Sequence, residues 1–260
     1  MSPLNSLVLE PQTRQRLTEL ELWPWLYTEL LRSGRIARGF AQSIRGTLVQ
    51  EAIAQISEDN LDLALSVKKF CEENQLEAAL PQVEGAIASG ETDFRRVARQ
   101  NNLMCFLACG LYELALKEDY LQSDVMNCWN QILDVQASHA LFVVNWLSYE
   151  SQAKQKPEYE LAGLFALWEL RSQWLPLFNK LNRSEYNDNL PDNPGAVDYF
   201  LGRQTFTTLL DMSEAGYRRR LESFDPQLIR PSVVARTSQF VRGLVGFWPQ
   251  RVIQTRPSSV

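Results

Sequence analysis

Apolar residues recur at steps of three and four along most of the chain, and strict apolar–polar alternation is absent. This pattern predicts helices and no sheet. Leu17, Leu20, Trp23, Tyr27 and Leu30 place a first helix over about Thr13–Arg32, with Pro24 as a kink and Gly34 as its punctuation. Ile36, Phe40, Ile44 and Leu48 mark a second over about Arg35–Ile56. The run Ser57-Glu58-Asp59-Asn60 reads as the cap of a third, over about Leu61–Asn74. A short helix follows near Leu76–Ser89, with Pro81 in its first turn.

Four longer helices come next. Thr92 caps one that reaches about Lys117, and Ser123 or Asp124 caps one that reaches about Gln152. Pro157 starts a third, to about Asn179. After a polar loop over Asn182–Pro194, a fourth runs to about Ser223. Long helices with short loops predict an all-α antiparallel bundle. The expected division is an N-terminal helical layer over residues 1–60, a bundle over 61–225 and an amphipathic tail over 226–260.

Charge sharpens the picture of the tail. The chain nets −5, yet residues 30–50 carry four arginines and residues 226–260 carry five, with no acid in either segment. The remainder therefore carries −14, an acidic body flanked by basic segments. The basic tail, with Ile229, Val233, Phe240, Leu244 and Trp248, suits docking on that body or on an anionic membrane surface. The net negative charge argues against nucleic acid as a partner. The N-terminus reads as lacking a signal peptide, and Cys71, Cys105, Cys109 and Cys128 show no C-x-x-C spacing. The expectation is a cytoplasmic protein with reduced core thiols.

Candidate chemistry gathers on one helix. Trp129, Ile132, Gln136, His139, Val143 and Trp146 form a single apolar seam whose middle is polar. His139 is the only histidine of the 260 residues, so no site can take two imidazoles from one chain. On the preceding helix Glu113 lies on a partly apolar stripe, at a depth that could face His139. The last long helix carries Asp211 and Glu214. A polar centre in an apolar bundle is where such folds build metal sites. It is also what a core histidine paired with Glu113 or Gln136 would look like.

The segment Asp134-Val135-Gln136-Ala137-Ser138-His139-Ala140-Leu141-Phe142-Val143-Val144-Asn145-Trp146 resembles the second helix of bacterial ferritin-like domain proteins. These belong to the rubrerythrin-like, carboxylate-bridged di-iron superfamily. Their helix reads roughly D-E-E-x-x-H, then an aromatic residue and Asn-Trp. Phe224-Asp225-Pro226-Gln227-Leu228-Ile229-Arg230-Pro231 is similar to their C-terminal tail. The strong part of the likeness covers about twenty residues, and the compatible helix order covers about Leu61–Arg230.

The resemblance implies a ferritin-like bundle, puts His139 at a metal position and makes Glu113 the candidate for a retained carboxylate; Asp211 and Glu214 on the last long helix are weaker candidate acids. It also exposes departures. Gln136 stands where the family has a bridging glutamate, Val135 replaces another acid, and the second Glu-x-x-His has no histidine to supply it. An amide is a weak ligand for iron. Three readings follow. One is a binding or scaffold protein that has lost the di-iron centre, with no cofactor and an unidentified protein partner. Another is an oxidoreductase with an altered carboxylate-rich site for iron or manganese. The last is a peripheral membrane protein acting through its tail.

Overall fold

The structure is a computed structural model that describes residues 8–20, 22–76, 94–153 and 206–228. Among these residues it is all-helical and has no strand. The helices are α1 (Pro11–Leu20), α2 (Leu22–Ser43), α3 (Thr47–Glu73), α4 (Phe94–Lys117), α5 (Ser123–Ala153) and α6 (Phe206–Glu222). The short helix expected after Leu76, the helix expected from Pro157 and the polar loop over Asn182–Pro194 lie outside the described residues, as does the tail beyond Leu228.

The N-terminal third divides differently from the sequence expectation. Pro24 kinks no helix interior, because α1 ends at Leu20 and Pro24 falls in the first turn of α2, where its missing N–H breaks no helical bond. The chain then stays helical through Gly34 and breaks at Gly46, whose φ of 138° suits only glycine. Gly34 serves a close approach instead. A Cβ there would stand 2.7 Å from Leu61 Cγ and 3.1 Å from the Ser57 carbonyl oxygen. Ser57 Oγ donates to the Gly34 carbonyl at 2.8 Å, tying α3 to α2 at that crossing.

Helix α3 runs unbroken from Thr47 to Glu73, so Ser57–Asn60 lies in its middle and caps nothing. The division expected at residue 60 falls inside this helix. The turn 44–46 makes α2 and α3 antiparallel neighbours. Helices α3 and α4 end without glycine. Gln75 and Asp119 take positive φ (60° and 48°), and Leu76 and Tyr120 donate back to the Cys71 and Ala115 carbonyls.

Two apolar clusters hold the helices together. The larger draws on all six and includes Leu17, Trp23, Phe70, Cys109, Trp129, Ile132 and Tyr217. Trp23 is 1% exposed and packs on Phe70 with ring centroids 4.9 Å apart. The smaller cluster lies around Ala37, Ile53, Phe94, Val143 and Trp146, where Phe40 stacks on Phe94 at 5.0 Å. The seam expected on α5 is observed: Trp129, Ile132, Val143 and Trp146 are buried, with Gln136 and His139 half-buried between them.

Helix α6 lies close along α4. A Cβ on Gly110 would stand 2.8 Å from the Leu209 carbonyl and run into Ser213 Oγ. Backbone cannot swing aside as a side chain can. Gly110→Val is therefore expected to lower stability by about 1–3 kcal/mol, the usual cost of overpacking, or more. Urea denaturation measures it, and an unchanged midpoint would contradict this close approach.

Candidate functional site

The polar middle of α5 faces α3 and, through it, α2 and α4. Gln136 Nε2 donates to Asn60 Oδ1 at 2.7 Å, and Asn60 Nδ2 donates to Ser33 Oγ at 3.3 Å. Asn101 Nδ2 reaches the same hydroxyl at 2.6 Å. Side chains from four helices are thus joined in one chain of hydrogen bonds. Asn60 is 1% exposed, and leaving a buried amide like this unpaired costs roughly 1–3 kcal/mol.

One turn along α5, His139 Nε2 lies 3.0 Å from Asp59 Oδ2, and Gln55 Nε2 donates to the other oxygen of that carboxylate at 2.8 Å. An ionised carboxylate only accepts, so the contact puts a proton on Nε2, and in the neutral ring Nδ1 is then the acceptor. Nδ1 is buried and has no hydrogen-bond partner among the described residues. Burial pushes the His139 pKa below its ordinary value, with the hydrogen bond and charge of Asp59 opposing.

Glu113 is placed elsewhere. Its carboxylate, 9% exposed, lies 3.2 Å from Arg219 Nη2 and 3.8 Å from Arg220 Nη1 of α6. Arg220 is itself buried. It donates to Asn130 Oδ1 at 2.6 Å, stands 3.3 Å from Asp134 Oδ1 and covers the Tyr112 ring at 5.0 Å. Glu113 therefore serves as counter-ion between α4 and α6. The carboxylate beside His139 is Asp59, from the tetrad that reads as a cap in the sequence. Asp211 is exposed, and Glu214 pairs with Arg218 at 2.8 Å.

Metal chemistry asks more of this centre than it holds. Among the described residues, those around His139 are one carboxylate, a serine hydroxyl and the amides of Asn60, Asn101, Asn102 and Gln136. A two-iron centre needs several carboxylates and imidazoles, so these residues do not fit one. Among the described residues, no group of three or more His, Cys, Asp or Glu side chains is disposed to hold a metal ion. All four cysteines are free and buried. Burial raises the Cys71 thiol to about 12, and Cys105, hydrogen-bonded to Cys109 and buried, is also raised well above the ordinary range. Such thiols stay protonated at neutral pH and are poor ligands and nucleophiles. Among the described residues, no helix is long and apolar enough to cross a membrane.

Two outcomes are expected. Because the folded His139 pKa is lowered, the unfolded chain binds the proton first as pH falls. Stability then drops from about pH 6.5 until the folded ring also protonates. His139→Asn removes that slope, which denaturation midpoints between pH 5 and 7.5 would reveal; equal slopes in both proteins would refute it. Glu113→Ala strands Arg220 with only Asp134 as counter-ion and is expected to cost about 2–4 kcal/mol. A loss below about 0.5 kcal/mol, the scale of a surface pair, would show that the ion pair holds nothing together. No family model, curated protein or solved structure matches this chain.

Proposed function

We propose that this chain is a helical-bundle protein of ferritin-like plan that works by binding or scaffolding rather than by di-iron redox chemistry. The observation that carries the reading is the hydrogen-bonded chain Gln136–Asn60–Ser33–Asn101 across the middle of four helices. Amides and a hydroxyl satisfy one another there and put no negative charge at the centre. A multivalent iron centre needs that charge to offset its own. The carboxylate the sequence offers as a ligand, Glu113, is neutralised by Arg219 and Arg220.

A protein partner suits this reading better than a substrate does. Among the described residues, the cavities beside the polar centre are about 40 and 20 Å³, far below the roughly 300 Å³ at which small-molecule pockets begin. Contact would therefore be made on the outer helix faces, with the acidic body favouring a basic partner surface.

Metal content tests the proposal. Protein purified from iron- or manganese-supplemented cultures is expected to hold well under one metal per chain. Its melting temperature should move by less than about 1 °C on chelation, because a site that binds nothing adds no linked stability. Two irons per chain, or a chelator-induced fall of about 5 °C or more, would overturn it in favour of an oxidoreductase.

A further inference from the structure

Helices α2 and α3 lie side by side, and the outer sides of both are exposed. On α2 that side carries Arg35, Arg38, Gly39 and Gln42, with Arg45 following in the turn; all five are exposed. On α3 it carries Glu51, Gln55, Glu58, Asp62 and Leu65, recurring at steps of three and four and again all exposed. Residues 30–50 contain no acid and residues 46–67 no base, so the two stripes are opposite in sign. Among the described residues these arginines and acids form no ion pair with one another or with any other side chain. Leu65, 64% exposed, adds an apolar contact at one end. Gly39 is the odd residue of the face. It lies inside a helix, where glycine costs about 1 kcal/mol against alanine. Its φ is not positive, and a Cβ there would meet nothing within 4 Å, so neither backbone geometry nor a close neighbour among the described residues calls for glycine.

We propose that this two-helix face is the interface between two copies of the chain, related by a two-fold axis parallel to the helices. The levels follow from the crossing held by Ser57 on the Gly34 carbonyl and Asn60 on Ser33. Because α2 and α3 are antiparallel, Arg35 is about level with Glu58, Gly39 with Ala54 and Gln42 with Glu51. The two-fold lays α2 of one copy over α3 of the other and leaves these levels unchanged. Each Arg35 then faces a Glu58 across the interface and each Gln42 faces a Glu51. Gly39 and Ala54, the small pair, meet where two helices come closest. Every contact occurs twice, as an isologous interface requires. A two-fold across the helices would set arginine against arginine and acid against acid, which is repulsive. Charge also selects the occupant. A basic partner would satisfy α3 and be repelled by α2, and an anionic one the reverse. A second copy offers both signs at matching levels. The inference goes beyond the scaffold reading and does not depend on it, since the dimer forms with or without a metal in the bundle.

Native mass tests it on the full-length chain. Light scattering at micromolar concentration and low salt is expected to give the mass of two chains, with the equilibrium moving toward one chain as salt rises. Arg35→Glu and Glu58→Arg each put two like-charge contacts into the interface and are expected to weaken association by about 10- to 100-fold. Gly39→Leu holds the helices apart and should weaken it as well. These positions are exposed, so the variants are expected to keep the helical circular dichroism of the parent. Should one of them not fold, Gln42→Glu sets an acid against Glu51 without added bulk and is read the same way. The decisive arm mixes the Arg35→Glu and Glu58→Arg proteins, one of them carrying a mass tag. A mixed dimer is expected, because both of its contacts again join opposite charges. A parent that has the mass of one chain, a dimer that resists all of these substitutions, or the absence of mixed dimers would each overturn the proposal. Metal content bears on the scaffold reading alone. Two irons per chain in a dimeric protein would sink that reading and leave this one standing; a metal-poor monomer does the reverse.

Discussion

The pairing of Asn60 is the constraint on which the arrangement of helices depends. Its amide sits at 1% exposure in the interior and finds its partners on two other helices, Ser33 of α2 and Gln136 of α5. Apolar contact alone tolerates sliding and rotation, because the hydrophobic effect has no direction. A buried amide does not, since a shift of one residue along α3 would leave its polar atoms without partners. Asn101 extends the same restriction to α4 by donating to the Ser33 hydroxyl. Large side chains such as Trp23, Phe70 and Ile132 supply the stabilisation around it. The amide chain decides which residues of those helices meet.

Opposite charges are kept apart from that centre by the faces on which they lie. Gln136 and His139 look toward α3, whereas Glu113 on α4 looks toward α6. Asp134, two residues before Gln136, pairs with Arg220 and so belongs to the α6 side of α5. Helix α5 thus separates two polar systems. One is neutral apart from the half-exposed Asp59 at its edge; the other is an ion-pair cluster around Arg220. The second system can be buried because each charge has a counter-charge within reach.

Much of this architecture is legible in the residues, and the parts that are not share a cause. The three-and-four spacing locates α4 and α5, the C-terminal end of α6, and the polar interruption in the α5 seam. Glycine misleads, because its sequence context is the same whether it breaks a helix or lets two helices touch. Gly34, which reads as a helix end, lies inside α2 where Leu61 and Ser57 approach, and the chain breaks instead at Gly46. The tetrad Ser57-Glu58-Asp59-Asn60 misleads in the same way. Small polar residues favour caps because they bond nearby backbone, but Ser57 and Asn60 spend that capacity on another helix. The partners of His139 and Glu113 were hidden for a related reason. Asp59 stands 80 residues from His139 and Arg219 106 from Glu113, separations at which helical periodicity carries no information.

The lone histidine gains its meaning from this separation. Had Glu113 faced His139, a carboxylate and an imidazole would have met in a closed apolar interior. The pair would then be charged and strongly coupled, or ready for a cation. Asp59 instead meets the ring from the edge of the bundle, where its carboxylate is 37% exposed while the ring is only 13% exposed. The charge remains largely in water and the neutral ring carries the contact inward. Burial therefore outweighs the carboxylate in setting the ring's protonation, and the pKa falls rather than rises.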